Sequence, residues 1–260
     1  MGIPGLLTAA AALAGALLPT LTPPAPAPAA APYLAPCTAG TGPYQREMER
    51  YLRLPVDGRQ SPADCEAVRA FQTRHGVRPA DGYAGLATYR TMRVVEARAN
   101  PNAAGNCPVR SYRIACVDLT RQLMWVQTGT RVTFAPVPIR SGRDGYETRT
   151  GWFSVYWRAR DHYSDLYDNA PMPYSQFFSN GQAFHGTYND LFQGGSHGCV
   201  NLRLDDARRL WDALAQDDTV YVWGEKPGTE RGLRAGSLLR DALPVGPRAG
   251  RTPPPTPGAH

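Results

Sequence analysis

Three β-rich runs follow one another between Tyr112 and Ile139: YRIACVD, QLMWVQ and RVTFAPVPI, separated only by LTR and TGT. No helix fits into connections of that length, so consecutive runs must pair antiparallel as a meander. Two further runs rich in aromatic and β-branched residues, TGWFSVYW (150–157) and TVYVW (219–223), extend the pattern. Between them, LDDARRLWDALA sets Leu204, Ala207, Leu210, Trp211 and Leu214 on one face at helical spacing. Residues 158–178 carry many aromatics but little period, which predicts a long loop or flap. The expectation is a mainly β domain over 109–224 with one packed helix.

Upstream the period is helical. Tyr44, Met48, Tyr51 and Leu52 recur at helical spacing. A second helix has its start written out: Ser61 as N-cap, Pro62 at the first position and Asp64 three residues after the cap. Ala67, Val68 and Phe71 form its inner face and Gly76 ends it. A third short helix is expected over 86–92, with Tyr89 in the core. Residues 37–95 therefore read as a small three-helix domain. The polar stretch EARANPNAAGNCP (96–108) reads as a linker that leaves the two domains no shared apolar surface.

The chain ends are of another kind. Residues 1–31 hold an apolar run of signal-peptide length, followed by small residues and prolines, although no Lys or Arg precedes it. The run is shorter than the roughly 20 residues a membrane helix needs. Residues 1–31 are thus expected to be a signal peptide of an exported, extracytoplasmic protein with no stable membrane span. PVGPRAGRTPPPTPGAH, 244–260, has the composition of a disordered tail. The net charge of +6 is almost all arginine, with Lys226 the sole lysine and no dense basic block. That is a solvated surface rather than a nucleic-acid footprint.

Five cysteines leave one over from any paired framework. Cys37 and Cys65 bracket the first helical region, and Cys107 and Cys116 flank the start of a strand, so both pairs suit local disulfides in an oxidising compartment. Cys199 is left as a free thiol. It lies in AFHGTYNDLFQGGSHGCVNLRLDDA (183–207), together with His185 and His197. A thiol attacks as thiolate, and at its ordinary pKa of about 8.5 only a few per cent is ionised at neutral pH, so a nearby imidazole is needed to take the proton. Either histidine qualifies. The glycines of GGSHGC suit a turn that aims backbone amides at an oxyanion, and Asn201 can pin that turn. The pattern supports acyl transfer through a thioester. A zinc site would lack a fourth ligand, no other metal or cofactor is called for, and a papain-type protease would place its cysteine before its histidine.

SHGCVNL preceded by AFHGT resembles the signature of the L,D-transpeptidase catalytic domain, with similarity from about Tyr112 to Trp223 that takes in IACVDLTRQLMWV, TRTGWF and MPYSQFF. Arg149 stands where relatives often have proline. The resemblance implies a β-sandwich with a packed helix, Cys199 as nucleophile and His185 as base. It further implies the Gly186 carbonyl as orienting partner, amides of His197, Gly198 and Cys199 at the oxyanion, and the Tyr174 hydroxyl as a helper. Asn201 and Arg203 would order the turn or bind a substrate carboxylate, and for Arg203 a plain surface charge is the equal alternative. Separately, FQTRHGVRPADGYAGLAT resembles the peptidoglycan-binding domain, through Phe71, Gln72, Gly76, Val77, Asp81, Gly82, Gly85 and Thr88. Together these imply an enzyme, expected to be monomeric, that acts on peptidoglycan by releasing D-alanine from tetrapeptide stems and cross-linking third residues. An L,D-carboxypeptidase and an inactive wall-binding protein are the alternatives.

Overall fold

The computed structural model describes Gly2 and residues 36–229. The expected signal peptide and the tail over 244–260 lie outside the described residues. In chain order the elements are α1 (Gln45–Leu52), α2 (Pro62–Arg74), α3 (Leu86–Ala97), β1 (Arg113–Asp118), β2 (Leu123–Thr128), β3 (Arg131–Pro138) and β4 (Gly151–Ser154). There follow β5 (Trp157–Tyr163), β6 (Pro171–Ser179), β7 (Gln182–Thr187), β8 (Val200–Arg203), α4 (Leu204–Ala213) and β9 (Thr219–Trp223). No described helix is long and apolar enough to cross a membrane.

The three helices close over Met48, Val68, Phe71, Ala84 and Met92. At the start of α2, Ser61 Oγ accepts from the Asp64 amide (3.2 Å) and the Asp64 carboxylate accepts from the Ser61 amide (2.9 Å), a complete capping box. Gln72 is buried, and its amide binds the Gly82 N–H (2.8 Å), the Tyr83 carbonyl (3.0 Å) and Thr88 Oγ1 (3.0 Å). That accounts for the spacing of Gln72, Gly82 and Thr88 by structural need alone. A disulfide joins Cys37 to Cys65. Tyr89, expected in the core, is half-buried: it packs against that cluster and stacks on Tyr44 at 4.3 Å.

The β domain is two sheets. One has the order β3-β2-β1-β9-β4, with β1 and β9 parallel; the other has the order β5-β6-β7-β8, with β7 and β8 parallel. Alternating residues of both sheets meet in one core that includes Val117, Val126, Phe184, Val200, Leu202 and Val220, with Ala207 and Leu210 of α4 and Leu214 just after it packed in. This is the expected mainly β fold with a packed helix. Trp211, also expected in the core, sits half-buried on α4 beneath the Arg158 guanidinium, 3.9 Å from its ring centroid.

Two features differ from the sequence reading. Residues 158–178 form the β5–β6 hairpin rather than a loop. β5 lies at the sheet edge and has no buried alternation, and β6 carries Pro171 and Pro173, which weaken a strand signal. Second, α3 continues to Ala97 and docks on the β domain. Val94 and Ala97 pack with Ile114, Leu123 and Trp125 on the outer face of the first sheet, beside the Cys107–Cys116 disulfide. The helices and the first sheet do share apolar surface. A chain begun after residue 98 should therefore be less stable than the full chain by about 2 kcal/mol, the scale of one buried aliphatic side chain. Equal denaturant midpoints for the two would show that α3 lends the β domain nothing.

Candidate active site

Parallel pairing sets Phe184 beside Val200 and His185 beside Asn201. Phe184 and Val200 point into the core, so strand alternation turns His185 and Asn201 to the other face, where Cys199 stands one residue before β8. The His185 ring is buried, and Nδ1 lies 2.8 Å from the Gly186 carbonyl. A carbonyl can only accept, so Nδ1 carries the proton and Nε2 is the lone-pair nitrogen. Nε2 is 2.8 Å from Asn201 Nδ2, which donates to it. Burial pushes His185 down to about 4; the Gly186 carbonyl opposes this, and Arg140 and His162 add to it.

The approach to Cys199 is a turn held from three sides. Ser196 Oγ donates to the Cys199 carbonyl and accepts from the Gly198 amide (3.1 Å). Thr148 Oγ1 donates to the Gly198 carbonyl (2.9 Å) and accepts from the Gly142 amide (3.0 Å). Gly198 has φ +109, and a Cβ there would run into the Gln182 side chain, so only glycine fits. Gln182 in turn accepts from the Arg149 amide (3.0 Å) and donates to the Glu147 carbonyl (3.0 Å). A proline at 149 could not make the first of these bonds. The sole lysine, Lys226, donates to the Gly194 carbonyl (2.7 Å) and the Ser141 carbonyl (3.2 Å), tying down the glycine-rich loop.

Cys199 is the one free cysteine among the described residues. It packs against Met172, Phe177 and Ala183, with Sγ 3.9 Å from the Gly181 carbonyl. Burial pushes the thiol above its ordinary value, against a smaller opposite pull from the Ala183 backbone. With the thiol raised and His185 lowered, the proton rests on sulfur at neutral pH. Both shifts favour a neutral thiol and a neutral imidazole over an ion pair.

Two cavities meet at Cys199. One, of about 700 Å³, has an aromatic lining that includes Tyr156, Trp157 and Phe177. The other, of about 430 Å³, is lined by His185 and Asn201 with the cations Arg140 and Arg143. Ser164, Tyr167 and Met172, at the turn of the β5–β6 hairpin, line both, as does His197. The His197 ring is stacked on Tyr167 (4.1 Å) and meets Tyr146 edge-on (4.7 Å). Arg143 donates to its Nε2 (2.7 Å), and burial, then Arg143, lowers its pKa. Its ring is part of the wall between the cavities. Among the described residues, no three His, Cys, Asp or Glu side chains converge as metal ligands would.

Cys199, His185, Gly186, His197, Gly198 and Asn201 thus share one locality, and Tyr174 and Arg203 do not join it. Tyr174 has φ +59, which interrupts the alternation of β6, and its ring packs towards Trp211 of α4 (6.3 Å) under the Arg160 guanidinium. Arg203 is two strand residues beyond Asn201, roughly 7 Å further along, and lies exposed over Phe192. Asn201 pins no backbone through its side chain; it bridges His185 and Arg140 instead. The Gly198 N–H, expected at the oxyanion, is taken by Ser196. Ser196, Thr148, Gln182 and Arg140 escaped the sequence reading. Ser196 and Thr148 lie inside the quoted SHGC and TRTG strings, whereas nothing local marks Gln182 or Arg140.

A family model for YkuD, the L,D-transpeptidase catalytic domain, matches residues 112–222. A search of curated proteins returns no match. Among solved structures, an L,D-transpeptidase (Yku) from Stackebrandtia nassauensis is 36% identical over 74% of this chain and 96% of its own, with a TM-score of 0.58. An L,D-transpeptidase from Xylanimonas cellulosilytica is 25% identical over 78% of this chain and 100% of its own, with a TM-score of 0.42. The likeness to the Stackebrandtia enzyme runs through nearly all of that protein, and the family match spans the domain that holds the Cys199 cleft. The chain belongs to the L,D-transpeptidase family, enzymes that act on peptidoglycan.

Proposed function

We propose that Cys199 is acylated by a peptidoglycan tetrapeptide stem and passes the acyl group to an amine of a neighbouring stem. The observation that carries this is the convergence of two cavities on one thiol, since a transfer between two peptides needs two approaches to the same sulfur. In the first step, His185 Nε2 releases the Asn201 amide and accepts the thiol proton as sulfur attacks the carbonyl of the third, diamino-acid residue. Burial lowers the basicity of His185, so proton transfer is concerted with attack, when the developing oxyanion offsets the imidazolium. The His197 and Cys199 amides are the donors left for that oxyanion, because Ser196 holds the Gly198 N–H. The imidazolium then protonates the leaving nitrogen and D-alanine departs, leaving a thioester. An acceptor amine, its proton taken by His185, attacks the thioester carbonyl; the C–S bond breaks as the new amide joins the third residues, and the imidazolium returns the proton to the Cys199 sulfur.

The remainder of the chain fits an extracytoplasmic enzyme. Two disulfides suit an oxidising compartment, and the helical domain (37–95) serves to hold the enzyme on the wall. The test is incubation of the purified protein with tetrapeptide muropeptides. Released D-alanine should match the dimer formed, with a mass equal to two stems less one alanine. Release matched by free tripeptide would make the enzyme an L,D-carboxypeptidase, with water as acceptor. No release at all would overturn the acyl-transfer reading.

A further inference from the structure

We propose that Arg140 is a positioning residue that sets the tautomer and the readiness of His185 by fixing which way the Asn201 amide faces. The inference rests on His185 being the base of the reaction proposed above. An asparagine side chain has one accepting end and one donating end, and either could face an imidazole nitrogen. Here the choice is made from behind. Arg140 can only donate, and it places both Nε (3.1 Å) and Nη2 (2.9 Å) on Asn201 Oδ1. The amide must therefore present Nδ2 to His185 Nε2, 2.8 Å away. A donor at Nε2 excludes a proton there, and the Gly186 carbonyl at Nδ1 takes the proton on the other side.

Arg140 is itself held firmly enough to do this. Its backbone pairs with Asn201 in both directions (3.0 and 2.9 Å). Its third guanidinium nitrogen donates to the Asp190 carbonyl (2.9 Å) and the Gln193 carbonyl (3.4 Å), in the loop between His185 and Cys199. The fork thus joins the loop, Asn201 and, through it, the imidazole. A lysine has one donor group and could not span the two sides together.

Without Arg140, Asn201 could turn Oδ1 towards His185 and accept from an Nε2–H, which favours the imidazolium. Burial is the main reason His185 sits well below its ordinary value; the charge of Arg140 also opposes the imidazolium, and His162 on β5 adds a little to that. Arg143, His197 and Cys199 share the cavity with the imidazole, and Asp190 offsets part of the Arg140 charge.

Nitrogen-15 NMR of the histidine-labelled full chain reads the tautomer and the titration midpoint with no substrate present. In the parent protein His185 should show a protonated Nδ1 and a bare Nε2 at pH 6. In Arg140→Gln the midpoint should rise by at least about one unit, a tenfold change in the protonation constant. Asn201→Asp, nearly isosteric and still able to hold Arg140, puts an acceptor at Nε2 and should raise it as well. The acid limb of tetrapeptide turnover should move up in parallel. An unchanged midpoint in either folded variant would overturn the proposal, and so would a lower melting temperature in Arg140→Gln with the His185 resonances unmoved. Absent turnover in the parent alongside the predicted shifts would instead refute the reaction and leave the Arg140 assignment standing.

Discussion

Replacing Cys199 with serine should lower tetrapeptide cross-linking by a factor on the order of 10⁴ or more, the scale of losing a nucleophile. A hydroxyl is a far weaker acid than a thiol, and a base pushed down to about 4 cannot draw its proton. The loss should be chemical rather than structural. Sγ is half-buried among Met172, Phe177 and Ala183 and takes part in neither disulfide, so an oxygen in its place leaves the packing almost unchanged. Two controls follow from the same facts. A thiol reagent should count one reactive group in the unfolded, unreduced parent and none in the variant. A carbapenem should add one covalent adduct to the intact mass of the parent and leave the variant unmodified. Cross-linking within tenfold of the parent would place the nucleophile elsewhere.

The β domain was legible where burial is one-sided or complete. β1, β2 and β9 pair within the first sheet and carry buried, β-branched runs that mark them as strands. The β5–β6 hairpin was not legible, because an edge strand open on both faces has no period to read and Tyr174 breaks what period β6 has. The docking of α3 was hidden for a different reason. Val94 and Ala97 close a short helix that runs directly into a polar stretch, and their partners Ile114, Leu123 and Trp125 come later in the chain. Periodicity reports that a face is apolar and says nothing of which element will cover it.

The site divides in the same way. Cys199, His185 and the glycine turn are chemically unusual in sequence and announce themselves. Asn201 was noticed, but its role depends on Arg140, 61 residues away, in what reads as the end of an ordinary strand. For Tyr174 and Arg203 only the family resemblance points to the site. A single left-handed residue and about 7 Å of strand rise were enough to remove them from the cleft.

Exchanging His185 for glutamine should cost activity and add acid stability together. As general base the residue is worth a factor on the order of 10² to 10⁴ in rate, and glutamine cannot take the thiol proton. Glutamine can still donate to the Gly186 carbonyl and accept from Asn201, the two bonds that the neutral imidazole makes. The stability effect comes from the proton that His185 resists. Its folded value is about 4 against an ordinary 6.5, so between those two values the unfolded chain binds the proton and the folded protein does not. Stability is therefore intact above pH 6.5, falls as the pH drops through the window, and has lost about 3 kcal/mol once the pH is below 4. A domain of this size loses roughly 2 to 4 °C per kcal/mol. From pH 7 to pH 4 the melting temperature of the parent should thus drop by roughly 6 to 12 °C more than that of His185→Gln. His75 and His197 are also lowered by burial, but they are present in both proteins and cancel in the difference. Parallel melting curves across that range, with turnover lost, would mean that His185 acts without being held neutral. A parent that instead gained stability over the variant on acidification would mean a raised His185 and an ion pair at rest, and the concerted proton transfer proposed for acylation would have to be abandoned.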